Sequence, residues 1–515
     1  MSASTERKNR IAAREAGTDK KTLAQQEEEK KRAKSRRQWT FGGVCVALLL
    51  VLVLLLQSGF FYNHTTAVRI DGQSHSPAEV NYYYSTAYYD FANNYGSYAS
   101  IFGLDTSKGP FSLRRQECNM LENGTWRDYF LQGAYGSMAQ VQGLCSYAKA
   151  EGLTLGEEEL ADLDEQMTAL ESSAKSYGYS SVNKFLAANY GTGVNVKLMR
   201  EIMSNSALAS LAYNHYVDGL NYSDEELENY YASLEGSNDY YSYVAYTVSA
   251  ETVTGEDGSA APTEQTLAEA RASADAVMAS YLDDKDTEDV SERLSAAVEG
   301  ATDEVTELSA SRTTGAALNA AYADWLKDSA RKTGDVTVAE NSDGTGYFVV
   351  AYIGHDDNHY PVVSVRHILV EAEADENGTW SDKALDVAKN RAEEILAEWE
   401  SGDRTEESFA SLAEQYSTDT GSNTNGGLYE NIAKGQMVEE FDAFCFGDRK
   451  PGDTAVVYGS NGQYAGYHVV YFVGEGEEYS RVIARNALRS ENVDAWIEEI
   501  TPDYEKGAFA WLAGK

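Results

Sequence analysis

One strand is written twice in this chain. "GYFVVAYIG" runs from Gly346 to Gly354, and "GYHVVYFVG" runs from Gly466 to Gly474. Other pairs keep step with them. Ser242 and Ser364 lie 122 residues apart, Arg331 of "RKTGD" and Arg449 of "RKPGD" 118, and Tyr347 and Tyr467 120. Three anchors in one order at near-constant spacing predict two copies of one α+β module. Each copy reads as strand, polar stretch, helices, then strand, over 237–357 and 358–476, an ordinary domain length.

The copies differ where chemistry could reside. Phe348 of the first copy stands where the second has His468, and Ala245 stands where it has His367. Side chains alternate along a strand, so Val365, His367 and Leu369 share one face, as do His468, Val470 and Phe472. If the two strands are neighbours, both histidines point at one pocket. A lone histidine on an apolar strand is usually a satisfied core residue; two, of only seven in the chain, argue for a site.

Upstream, 63–236 reads as all-helical. "SPAEVNYYYSTAYYDFANNYG" opens on a Ser-Pro start with a Glu in its first turn. "FLQGAYGSMAQVQGLCSYAKAEGL" and "SDEELENYYASLEG" end on Gly stops. Five or six helices are expected. The chain holds 36 tyrosines, dense in this region. They read first as core filler, with an aromatic cradle for unfolded polypeptide as the functional alternative. The tail, 477–515, reads as a helical segment.

Charge divides the chain. Residues 1–38 hold 12 Lys and Arg against 6 Asp and Glu, a net of +6, which leaves −46 on the remainder of a chain of net −40. A bulk this acidic repels phosphate backbones, so nucleic acid is not an expected partner. Between the two regimes Phe41–Tyr62, "FGGVCVALLLVLVLLLQSGFFY", carries no charge over 22 residues. As a helix it would rise about 33 Å, enough to cross a bilayer core. We read 1–38 as a cytoplasmic basic tail, disordered or a surface helix, and 39–62 as a single transmembrane signal anchor. The acidic bulk then faces out. A cleaved signal peptide is the rival, but no small-x-small site follows the apolar run.

The four cysteines form no CxxC, and no HxxxH spacing suggests a metal. Cys118 and Cys145 could pair in an oxidising exterior.

The segments "VRHILV", "FASLAEQYSTDTGS", "NGGLYENIAKGQMVEEF" and "GYHVVYF", in that order over 358–476, resemble the signature of parvulin-type peptidyl-prolyl isomerases. The helical region is similar to the N-terminal chaperone domain of SurA- and PrsA-type extracytoplasmic foldases. The resemblance implies a catalytic network of His367, Asp419 and His468. It implies a proline pocket floored by Met437 and Phe441 and lined by Tyr429 and Ile432. No cofactor or metal is implied. "LYENIAK" replaces the family's common Asp-Leu-Gly-aromatic-Phe run. The first copy, lacking both histidines, is then a degenerate module that keeps the fold without the site. The expectation is a membrane-anchored isomerase and chaperone acting on exported polypeptides with X-Pro bonds. The alternative is a holdase that uses parvulin folds only to bind unfolded clients.

Overall fold

The computed structural model describes residues 3–16, 20–57, 59–255, 259–302 and 305–515. The chain forms two compact units, residues 1–220 with 491–515, and 221–490.

The first unit opens with helices α1 (Ala3–Glu15), α2 (Lys20–Gln57) and the short α3 (Phe60–His64). The charge-free run is therefore not one helix to Tyr62. α2 stops at Gln57, and α3 starts after Gly59, whose φ of 74° suits glycine. Among the described residues no helix is long and apolar enough to cross a membrane. Ser58, and the side chains at 52 and 54–57 in the apolar run, lie outside the described residues.

Next come β1 (Val68–Ile70), β2 (Gln73–His75), α4 (Pro77–Tyr95), α5 (Trp126–Ala150), α6 (Glu157–Ser176), α7 (Val182–Tyr190) and α8 (Val196–Gly219). The sequence grammar of the helices holds locally. Ser76 accepts a hydrogen bond from the Glu79 amide with Pro77 at the first position, and Thr125 closes a capping box with Asp128. Trp126, Phe130, Tyr84 and Tyr135 are wholly buried in one core.

The region is not all-helical. β1 and β2 pair antiparallel through Asp71 and Gly72, both at positive φ, as a two-residue hairpin turn requires. The third strand of that sheet is Tyr504–Lys506, with Val68 opposite Lys506. The tail is thus not helical throughout either. Its helix ends at Ile500, and Pro502, which cannot continue it, leads into the strand. All four cysteines are free, so Cys118 and Cys145 are not joined.

The second unit begins with α9 (Asp224–Ser233) and contains two four-stranded antiparallel sheets. The first module runs β3 (Tyr240–Ser249), a small hairpin of β4 (Thr252–Thr254) and β5 (Ala260–Pro262), α10 (Glu264–Asp283), α11 (Val290–Thr302), β6 (Ser311–Thr314), α12 (Ala323–Lys327), β7 (Val336–Glu340) and β8 (Gly346–Asp356). The second runs β9 (Pro361–Glu371), α13 (Asp382–Ser401), α14 (Glu406–Tyr416), β10 (Leu428–Ile432), α15 (Glu439–Cys445), β11 (Thr454–Ser460) and β12 (Ala465–Glu478). α16 (Tyr479–Ile500) and the strand Tyr504–Lys506, β13, close the chain.

The sheet orders match: β6-β3-β8-β7 and β10-β9-β12-β11. So does the register. Ala245 faces Val350 as His367 faces Val470, and Thr247 faces Phe348 as Leu369 faces His468. Single hydrogen bonds repeat as well. The Gly334 amide donates to the Tyr352 carbonyl and the Tyr352 amide to Asp335; Gly452, Phe472 and Asp453 do the same. In each module two long helices cover one sheet face, and a short helix, α12 or α15, packs on the other.

Candidate active site

His367 on β9 and His468 on β12 lie on the α15 face of the second sheet. They are 4% and 5% exposed, and burial of two imidazoles demands partners. They find each other: Nδ1 of His367 is 3.1 Å from Nδ1 of His468. His367 Nε2 is 2.9 Å from Asp419 Oδ2 and 3.1 Å from Ser422 Oγ. His468 Nε2 is 3.0 Å from the Tyr464 hydroxyl.

Asp419 is crowded with donors. The hydroxyls of Ser422 and Tyr429 donate to Oδ2 at 2.5 and 3.1 Å, and the Gly421 amide donates to Oδ1 at 3.0 Å. The His367 hydrogen bond above all, joined by those from Ser422 and Gly421, outweighs the cost of burial and holds its carboxyl far below the usual range. Burial, then the neighbouring His367, pushes His468 down to about 3, so it is neutral through the physiological range.

Two N–H groups cannot face each other across 3.1 Å, which leaves two consistent proton arrangements. With His367 neutral, hydrogen bonds run Tyr464 to His468 to His367 to Asp419. With His367 protonated, it donates to both Asp419 and His468, and His468 turns its own N–H toward the Tyr464 oxygen. Asp419 stays ionised and His468 neutral in both.

A cavity of about 200 Å³ opens above this chain, lined by His367, His468, Asp419, Leu369, Tyr429 and Tyr464 on one side. Gln436, Met437, Val438, Phe441 and Asn461 complete it. Phe441 meets His468 edge-to-face, with centroids 5.1 Å apart. Six of the seven residues expected at the site are therefore brought together. Ile432 is not among them. It is buried in the core cluster that contains Phe441 and Phe444: the register shift after Tyr429, with Asn431 at φ 56°, sets Ile432 opposite Val363, on the same face as Tyr429 opposite Val365 but farther along β9 from His367. Such a bulge re-aims the side chains beyond it.

Two glycines permit the arrangement. A Cβ on Gly427, at φ +71°, would lie 2.2 Å from the His367 carbonyl oxygen, and a Cβ on Gly459 would lie 2.6 Å from His468 Nε2. Tyr464 and Ser422 went unrecognised in the sequence. Their only signals are that Tyr464 precedes His468 by four residues and that Ser422 closes "TDTGS".

The first module fills the corresponding space. Phe348 and Tyr322 meet at 5.5 Å, Tyr322 donates to the Tyr243 hydroxyl, and all three share an apolar cluster with Ala245 and Leu326.

Residues 350–474 match the family described as the PPIC-type PPIase domain. The second module is a parvulin-type domain. Among curated relatives, "Foldase protein PrsA 1" of Listeria innocua is 31% identical over 148 residues, 27% of this chain and 42% of that protein. "Chaperone SurA" of Pseudomonas fluorescens is 28% identical over 186 residues, 33% of this chain and 39% of that protein. The matches thus span less than half of either relative. A crystal structure of the peptidylprolyl isomerase PrsA from Bacillus cereus aligns at 26% identity over 28% of this chain and 49% of that one, with a TM-score of 0.19.

Proposed function

We propose that this chain is a membrane-anchored, extracytoplasmic peptidyl-prolyl cis-trans isomerase and chaperone for exported polypeptides. The observation that carries the reading is the buried His367–His468 pair, tied to an ionised Asp419 at the edge of an apolar cavity.

The reaction breaks no bond. Its barrier of about 18–20 kcal/mol is the loss of amide conjugation on twisting. A catalyst needs to hold the proline ring and favour the twisted amide over the planar one. Met437, Phe441 and Leu369 offer the apolar grip. Tyr464 and the imidazole edges offer polar contact at the carbonyl, with an orientation preset by the chain of hydrogen bonds. Asp419 acts by electrostatics. Its oxygens already accept four hydrogen bonds, which makes it a poor nucleophile.

Replacing both His367 and His468 by Ala should abolish most cis-trans exchange of an X-Pro peptide, read by NMR. Exchange at the unsubstituted rate would sink the site assignment. Residual activity near zero also fits a first module without a site of its own.

The anchor is supported by the charge-free run from Phe41 and by exposed apolar side chains on α2, including Phe41, Leu48, Leu49 and Leu50. The basic residues before it favour a cytoplasmic N-terminus. The chaperone reading draws on exposed Tyr98, Ile101 and Tyr177 in the first unit, which offer apolar area, with a polar tip on the two tyrosines.

A further inference from the structure

The loop that carries Gln436, Met437 and Val438 into the cavity is held partly by the first module. Asp356, the last residue of β8, lies 3.6 Å from Lys434 Nζ and 3.7 Å from Arg312 of β6. Arg312 lies flat over Tyr240, 3.6 Å from the ring centroid. It also fills the space beside Gly435: a Cβ there would sit 3.0 Å from its guanidinium. The Gly435 amide donates to Asp442 on α15, the residue after Phe441, at 2.7 Å. The Lys434 amide donates to the Tyr360 hydroxyl at 3.1 Å, and its ammonium lies 3.9 Å from the Tyr360 ring centroid. Two cations and two carboxylates, Arg312, Lys434, Asp356 and Asp442, thus bracket one turn of chain. Arg312 and Asp356 come from a module with no site of its own.

We propose that Arg312 and Asp356 are positioning residues for the proline pocket of the second module. The first module sets the height of the 433–438 loop and thereby how Met437 and Phe441 close on the ring. This deepens the isomerase reading and rests on it for the reaction concerned. Neither residue touches the cavity, so each acts on ring binding and leaves the hydrogen-bonded histidine chain intact. The pairs are partly exposed, and pairs of this kind carry modest energies.

The test uses the full chain, a short X-Pro peptide and NMR exchange. Arg312→Ala and Asp356→Asn should each raise KM about twofold to fivefold, with kcat little changed. Arg312→Lys should recover part of the loss, since Lys keeps the charge but not the flat stack. The Met437 methyl resonance, assigned with Met437→Leu, should move in both variants. An unchanged KM with an unmoved methyl in folded variants overturns the proposal, as does a fall in kcat at constant KM. If the unsubstituted chain shows no exchange, the isomerase reading fails by itself. The methyl shift and peptide titration then decide whether the modules are linked here.

Discussion

His468 has no charge to offer at neutral pH, and this has a measurable cost in acid. Its ordinary value of 6.5 falls to about 3 in the folded state. Below pH 6.5 the unfolded chain takes up a proton that the buried ring refuses, so stability is full above that pH and drains as pH falls toward 3. One proton sets the limit, about 1.4 kcal/mol per pH unit. Asp419 works in the same direction, but only below its ordinary 3.8. Urea unfolding from pH 7 to 4 should therefore show a declining midpoint. His468→Phe, which installs the first module's residue, should flatten the part of that decline between pH 6.5 and 4. An identical slope in the variant would mean that another group carries it. Of the network, the histidines were legible because strand alternation fixes which face a residue takes. Tyr464 was not, because its hydroxyl reaches His468 only through the turn that joins β11 to β12.

At the scale of the element, the two modules differ less in backbone than in what stands between strand and short helix. β11 passes His468 at Gly459, where any side chain would strike the imidazole. Gly459→Ala should cost about 1–3 kcal/mol, as overpacking usually does, and should weaken isomerisation further by displacing the His468–Tyr464 contact. Thermal melts and exchange rates would check it; activity unchanged in a folded variant would refute the constraint. The misplaced Ile432 teaches the complementary lesson. Its place at the site was implied by the resemblance, and "LYENIAK" replaces the family's run at this point; Asn431 is the residue type there that turns left-handed most readily, yet its presence alone signals no bulge. The β1–β2 hairpin was missed for a similar reason. Three-residue strands leave almost no periodic signal, although Asp71-Gly72 is a recognised turn pair.

For the whole molecule, the duplication was the most legible feature, because repeated spacing survives substitution of nearly every side chain between the anchors. The mutual bracing of the modules was not legible, since Arg312, Asp356 and Lys434 are ordinary surface residues until folding brings them together. The topology proposed from charge makes its own prediction. Protease added to intact cells should digest the acidic region and spare residues 1–38; the reverse pattern would invert the orientation.

The pairing of Val68 with Lys506 has a temporal consequence. A chain exported from its N-terminus delivers β1 and β2 long before β13. Everything from Asn221 to Ser490 is inserted between the two halves of one unit. The isomerase module can therefore complete its contacts while the first unit still awaits its closing strand. Joining ends so remote in sequence also carries the slow kinetics of high contact order. A protein proposed to assist folding would thus finish its own catalytic part before the unit into which that part is built.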